Sequence, residues 1–99
     1  MILRILITAA FACAAPGAAA QDANARNLAA GCAICHGTGG HAVTKDVTTL
    51  AGIPPDHLAK QLRDFRDGKR PATVMHQIAK GYTDAQIDAL AAWFASQKR

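Results

Sequence analysis

The sequence predicts a small all-α domain. Apolar residues recur every three or four positions near the end of the chain, a spacing that places them on one face of a helix. They are Ile87, Leu90, Ala91 and Phe94, with Trp93 at the margin of the face. The middle of the chain repeats this spacing at Leu58, Leu62 and Phe65. No stretch alternates apolar and polar residues as a half-buried strand does, so we expect helices joined by loops.

Capping and breaking residues give the expected helix boundaries in order along the chain. Asp22 can cap a first helix from residue 23 to about residue 33, since its carboxylate can accept a backbone N–H of the first turn. Residues 37–49 are rich in Gly and Thr and indicate a loop. A second helix then spans about residues 56–67, between a pair of prolines and Gly68.

The last third of the chain predicts one short and one long helix. Residues 73–80 form a short helix that Gly81 ends. Thr83 and Gln86 have the spacing of a capping box, in which each side chain accepts the backbone N–H of the other residue. The long helix therefore begins directly after Thr83, and Asp84 complements the positive end of its dipole.

The first twenty residues are typical of a secretory signal peptide. Arg4 gives a positive start, residues 5–12 form a short apolar core, and three alanines precede Gln21 as a small-residue cleavage site. The apolar run is too short for a membrane span. We therefore expect residues 1–20 to be removed, residues 21–99 to form one domain, and the mature protein to be periplasmic.

The size of the mature chain favours a bound apolar group, and the charge of the chain does not indicate a nucleic-acid partner. A domain of about eighty residues lies near the lower limit for a core built from protein alone, so a bound apolar group would add needed buried surface. The full chain carries 11 Lys and Arg against 7 acidic residues. This modest excess is too small to indicate a nucleic-acid partner.

The pentapeptide Cys32-Ala33-Ile34-Cys35-His36 is the strongest chemical signal in the chain. Two thiols three positions apart, followed directly by an imidazole, are typical of covalent c-type haem attachment. Each sulfur can bond one haem vinyl group while His36 ligates the iron. The alternatives are a redox dithiol or part of a zinc site. However, no βαβ pattern surrounds the motif, and no second Cys pair supplies four zinc ligands.

A second axial ligand to the iron is expected from residue 75. Met75 is the one methionine beyond the predicted signal peptide. Thioether ligation raises the haem potential and suits electron transfer, whereas a second histidine lowers it. His76, His41 and His57 are the rival ligands. Ordinary core filling is the alternative role for Met75.

The three histidines outside the motif raise the question of a second metal site. His41, His57 and His76 could bind copper, since neutral imidazole is a good copper ligand and affinities among divalent ions favour that metal. They share no compact ligand spacing, so only folding could bring them together. Scattered surface histidines are the simpler alternative.

The chain resembles the class I c-type cytochromes in its haem motif and in the order of its helices. Two longer stretches resemble more narrowly the cytochrome c4-like group: Leu50-Ala51-Gly52-Ile53-Pro54 and Phe65-Arg66-Asp67-Gly68-Lys69-Arg70. Thr73-Val74-Met75 and residues 78–84 are most similar to the cytochrome subunit of flavocytochrome c sulfide dehydrogenase. The resemblance implies the small class I fold, with helices around one covalent haem c. It also implies thioether bonds at Cys32 and Cys35, with His36 and Met75 as axial ligands.

The function implied by this resemblance is periplasmic electron transfer. The chain would accept electrons from an FAD-containing flavoprotein that oxidises sulfide, and pass them to a downstream redox carrier. The sulfur chemistry would belong to the partner, so the chain would have no catalytic centre of its own. A second possibility is a free periplasmic electron shuttle. A third is a haem sensor, which is disfavoured because Met75 would occupy the iron site that a sensor leaves open.

Overall fold

A computed structural model of the chain describes the backbone from residue 17 to residue 99 and the side chains from residue 23 onward. These residues form helices and no strand, which confirms the all-α prediction. The helices are α1 (Gly17–Ala30), α2 (Ala33–His36), α3 (Pro55–Arg66), α4 (Met75–Ala79) and α5 (Asp84–Ala95), with a 3-10 turn at Thr38–Gly40. Residues 1–16 of the predicted signal peptide lie outside the described residues.

The first helix differs from the prediction at both ends. It begins at Gly17, so Asp22 lies inside the helix and does not cap it. The reason is that the alanines at positions 18–20 are the strongest helix formers and extend the helix toward the N-terminus. The helix ends at Ala30, before Gly31, and the following residues form the separate turn α2.

α3 and α5 match the predicted positions closely, whereas the short helix α4 begins two residues later and ends one residue earlier than predicted. α3 starts at Pro55, where the proline needs no backbone hydrogen bond, and ends one residue before Asp67. At the start of α5, Thr83 Oγ1 accepts the Gln86 N–H at 3.2 Å and Gln86 Oε1 accepts the Thr83 N–H at 3.0 Å. The predicted capping box is therefore confirmed, and it satisfies two backbone donors that a helix start leaves unpaired.

The core lies where α1 and α3 pack against α5. Its buried residues are Ala29, Leu58, Ala59, Ile87, Leu90, Ala91 and Phe94. All four apolar residues predicted for one face of α5 are among them. Ala29 of α1 is small, which lets that helix approach α5 closely.

Among the described residues, no helix has the length and apolar composition that a membrane span requires.

The loop after α2 is held against the end of α5 at Gly40. The Leu50 and Ala51 N–H groups donate to the Gly40 carbonyl at 2.8 and 3.2 Å, and the Gly52 N–H donates to the Phe94 carbonyl at 3.0 Å. Gly40 has a φ of 81°, and a Cβ added there would lie 2.8 Å from Phe94 Cδ1. Only glycine fits both the backbone conformation and the space.

We expect Gly40→Ala to lower the free energy of unfolding by about 3 kcal/mol, from left-handed backbone strain and the clash with Phe94 together. Gly68→Ala is a matched control, because Gly68 also has a positive φ but has no atom within 4 Å of an added Cβ. Gly68→Ala should lower the free energy of unfolding by about 1 kcal/mol, from backbone strain alone. Urea denaturation measures the free energy of unfolding of both variants. Equal decreases in the two variants would contradict the packing role of Gly40.

Candidate haem-binding site

The five motif residues form a single helical turn directly after α1. Cys32 has helical backbone angles at the N-cap of α2, and its carbonyl accepts the N–H of His36 at 2.9 Å. The Gly37 N–H donates to the Ala33 carbonyl at 3.0 Å and closes the turn. Because residues three apart lie on the same face of a helix, this turn places Cys32 and Cys35 on one side.

The two thiols differ in their surroundings. Cys32 is half-buried and packs against the core, while Cys35 is exposed. Burial raises the pKa of the Cys32 thiol above its ordinary value. Neither forms a disulfide with another described cysteine, so both sulfurs are available for bonding to a prosthetic group. Within the described residues, no group of three or more His, Cys, Asp or Glu could hold a metal ion.

The ring of His36 is oriented by the loop that follows it. Its Nδ1 lies 2.7 Å from the carbonyl oxygen of Thr48. A carbonyl can only accept, so Nδ1 carries the proton and donates. The lone pair is then on Nε2, the tautomer in which a histidine ligates a metal through Nε2. The sequence did not single out Thr48, because nothing in a Gly- and Thr-rich loop indicates which carbonyl will face the ring.

Met75 is the first residue of α4 and is half-buried. Apolar side chains near Met75 and in the haem motif remain at the surface, in contrast to the buried core. Val74 is 51% exposed, Ile78 39% and Ile34 86%. An apolar prosthetic group bound between these segments would cover such side chains, a contribution that a domain of this size needs.

Tyr82 links the end of the Met75 region to the motif. Its hydroxyl lies near the backbone of Gly31, just before Cys32. The pKa of Tyr82 is raised, first by burial and then by the charge that the neighbouring Cys32 carries once it ionises. This proximity could not be predicted from the sequence, because the contact joins residues fifty positions apart along the chain.

In the described part of the chain, the other three histidines do not belong to a group of three or more His, Cys, Asp or Glu side chains that could hold a metal ion. The ring nitrogens of His41 face the carbonyls of Thr38 and Lys98, and His57 Nε2 lies 2.8 Å from Gln61 Nε2. Nδ1 of His76 is buried without a hydrogen-bond partner among the described residues. The structure thus gives no support to the predicted copper site at His41, His57 and His76.

The sequence profile of the family described as cytochrome C oxidase, cbb3-type, subunit III, matches residues 19–94, which is most of the chain. The chain belongs to the cytochrome c family. The predicted class I c-type cytochrome fold is thereby confirmed, and the chain is an electron-transfer haem protein of that class.

Three relatives are similar to this cytochrome over most of its own length. It is 40% identical to a thiosulfate dehydrogenase electron acceptor from Thiomonas intermedia, over 96% of this chain and 44% of that protein. It is 38% identical to the cytochrome subunit of sulfide dehydrogenase from Chlorobaculum tepidum, over 70% of this chain and 62% of that protein. It is 37% identical to cytochrome c4 from Pseudomonas aeruginosa, over 82% of this chain and 40% of that protein. The chain thus spans between two fifths and about three fifths of the length of these relatives.

The residues of this cytochrome fit the haem c that its family implies. Two available thiols lie one helical turn apart, and the adjacent imidazole is held in the tautomer that leaves Nε2 for iron. Met75 supplies a thioether sulfur in a half-buried position beside exposed apolar side chains. The residues that could hold the group are therefore Cys32, Cys35, His36 and Met75.

Proposed function

We propose that this cytochrome is the periplasmic electron acceptor of an FAD-containing sulfide dehydrogenase. The observation that carries the proposal is the Cys32–His36 turn, in which both thiols share one helical face and the His36 Nδ1–H is bonded to the Thr48 carbonyl. Cys32 and Cys35 would hold haem c through thioether bonds, and His36 and Met75 would be its axial ligands. When bound in this way, the haem supplies a one-electron redox centre.

The chain's own residues keep this centre suited to electron transfer. The hydrogen bond to Thr48 fixes the ring of His36, and such bonds raise the basicity of a ligating imidazole. The apolar side chains of Val74 and Ile78 would exclude water on the Met75 side. A fixed ligand pair and a dry site reduce the rearrangement that accompanies gain or loss of an electron.

Support for the partner comes from the similarity to the Chlorobaculum tepidum cytochrome subunit, which is named for sulfide dehydrogenase. The flavoprotein would oxidise sulfide at FAD, and this chain would receive the electrons one at a time and pass them to a downstream carrier. A periplasmic location follows from the predicted signal peptide at residues 1–20, which stays a prediction. Copper is not part of the proposal.

A second candidate is the electron acceptor of a thiosulfate dehydrogenase. It is favoured by the relative from Thiomonas intermedia, which matches 96% of this chain at 40% identity. Both candidates share the same haem chemistry and differ in the enzyme that delivers electrons. A free periplasmic shuttle with no dedicated enzyme is the remaining alternative.

Replacing Met75 with Leu should abolish the weak near-infrared sulfur-to-iron charge-transfer band of the ferric protein and lower its reduction potential, because the thioether ligand is lost. His76→Gln is the matched control for the neighbouring rival ligand and should retain the band. Absorption spectroscopy and redox titration of the purified holoproteins measure both effects. A band that survives in Met75→Leu would contradict Met75 as the ligand.

Sulfide should reduce the haem rapidly only when the flavoprotein of a sulfide dehydrogenase from the source organism is present. Haem absorbance in stopped-flow mixing measures the rate with and without that flavoprotein. A parallel series uses thiosulfate with a thiosulfate dehydrogenase. Fast reduction in the second series alone would favour the second candidate. Equal reduction by sulfide with and without flavoprotein, and no complex on gel filtration, would favour the shuttle.

A further inference from the structure

Met75 lies within a connecting segment whose two ends meet. The segment consists of residues 67–83 and joins α3 to α5; we call it the Met75 segment. Arg66, immediately before it, is the last residue of α3, and Asp84, immediately after it, is the first residue of α5. A contact between Arg66 and Asp84 therefore holds the two ends of the Met75 segment together; we call this end of the segment its base.

Ion pairs join the two helices at this base. Arg66 Nη1 donates to Asp84 Oδ1 at 2.7 Å, and Arg63 Nε donates to the same oxygen at 3.2 Å. Arg63 Nη2 also donates to Asp88 Oδ1 at 2.6 Å. We call Arg63, Arg66, Asp84 and Asp88 the ion-pair cluster. Its arginines belong to α3 and its aspartates to α5, so each of these bonds crosses from one helix to the other.

The electrostatics favour the paired form of Asp84 at neutral pH. The hydrogen bond from Arg66, followed by that from Arg63, lowers the pKa of the Asp84 carboxyl. The carboxylate also lies at the start of α5, where the helix dipole favours negative charge. The Arg66 side chain is 23% exposed and that of Asp84 is 68% exposed. The cluster is therefore accessible to salt, which screens surface charges.

Other contacts hold the start of the Met75 segment against α3. The Lys69 and Arg70 N–H groups donate to the Asp64 carbonyl at 2.8 and 3.2 Å. The Arg70 guanidinium lies 4.9 Å from the centre of the Phe65 ring, within the range of a cation–π contact. These contacts act at one end of the segment only. Among the polar side-chain contacts of the described residues, the ion-pair cluster joins both ends of the segment, beside the apolar packing of α3 on α5.

We propose that Arg63, Arg66 and Asp84 are positioning residues for the axial ligand Met75. The inference rests on the proposed ligation by Met75. Connecting segments open locally more often than whole domains unfold, because few contacts are lost. By fixing the end of α3 to the start of α5, the ion-pair cluster restricts the opening of the Met75 segment and so limits how often the thioether leaves the iron.

The test uses the ferric holoprotein and free imidazole as the probe. Imidazole can occupy the iron only when Met75 has left it, so its apparent affinity and binding rate report the opening of the segment. Arg66→Gln should raise both by about 3- to 10-fold, the range expected from losing a small surface ion-pair network. Arg66→Lys keeps the charge but loses the planar guanidinium geometry. Its imidazole affinity and binding rate should lie between those of wild type and Arg66→Gln.

Lys60→Gln is the matched control. It removes one positive charge from the same helix, but Lys60 pairs with Asp64 inside α3 and does not span the segment. Its imidazole affinity should equal that of wild type. Asp84→Asn should raise imidazole affinity at least as much as Arg66→Gln, because it also removes the charge that Arg63 pairs with. The double variant should exceed Asp84→Asn only slightly, because both changes remove the bond between Arg66 and Asp84. High salt should raise imidazole affinity in wild type and raise it less in Arg66→Gln, which keeps only the ion pairs of Arg63.

Two outcomes separate this inference from the assignment of the ligand. If Arg66→Gln binds imidazole no better than Lys60→Gln, while wild type shows the charge-transfer band and Met75→Leu lacks it, the positioning role is wrong and the ligand assignment stands. If wild type lacks the band, the assignment of Met75 itself is wrong. Circular dichroism under the same conditions checks that all variants remain folded, so that a general loss of stability is distinguished from local opening.

Discussion

The packing of Phe94 is the contact on which the arrangement of the haem motif depends. Phe94 is among the largest fully buried side chains, and it lies against Gly40 in the loop that leaves the motif. Its carbonyl also accepts the Gly52 N–H from the far side of that loop. One aromatic residue near the end of α5 thus fixes both arms of the loop. The Trp93 ring, edge-on at 5.0 Å between centroids, borders it on the helix.

This packing reaches the iron ligand through the backbone. The Gly40 carbonyl accepts the N–H groups of Leu50 and Ala51 and so closes the loop that contains Thr48. The Thr48 carbonyl in turn accepts from Nδ1 of His36. A core contact is thus connected, through the backbone of this loop, to the carbonyl that orients the proposed proximal ligand. Hydrogen bonds to a ligating histidine of this kind orient the ring and tune the metal that it binds.

The fold was largely predictable from the sequence, whereas the contacts that orient the site were not. α3 and α5 follow from apolar spacing and from capping residues, which act over three or four positions. The start of α1 was misplaced because the helix-forming alanines before Asp22 outweighed its capping tendency. The link from His36 to Thr48 and the proximity of Tyr82 to Cys32 join distant segments, and periodicity carries no information about them. Arg63 and Arg66 have the pattern of a solvated helix face, and only the packing of α3 on α5 shows that they meet Asp84 and Asp88.

The unequal exposure of the two motif cysteines has a consequence for the chain before haem is attached. A thiol attacks as its thiolate, so raising the pKa of Cys32 by burial keeps that sulfur protonated and slow to react at neutral pH. Cys35 is exposed and is the thiol that meets an oxidant first. In an oxidising compartment, exchange with a foreign disulfide would begin at Cys35, and Cys32 would resolve the mixed disulfide. The depth at which each sulfur lies against the core thus makes Cys35 the more accessible of the two thiols.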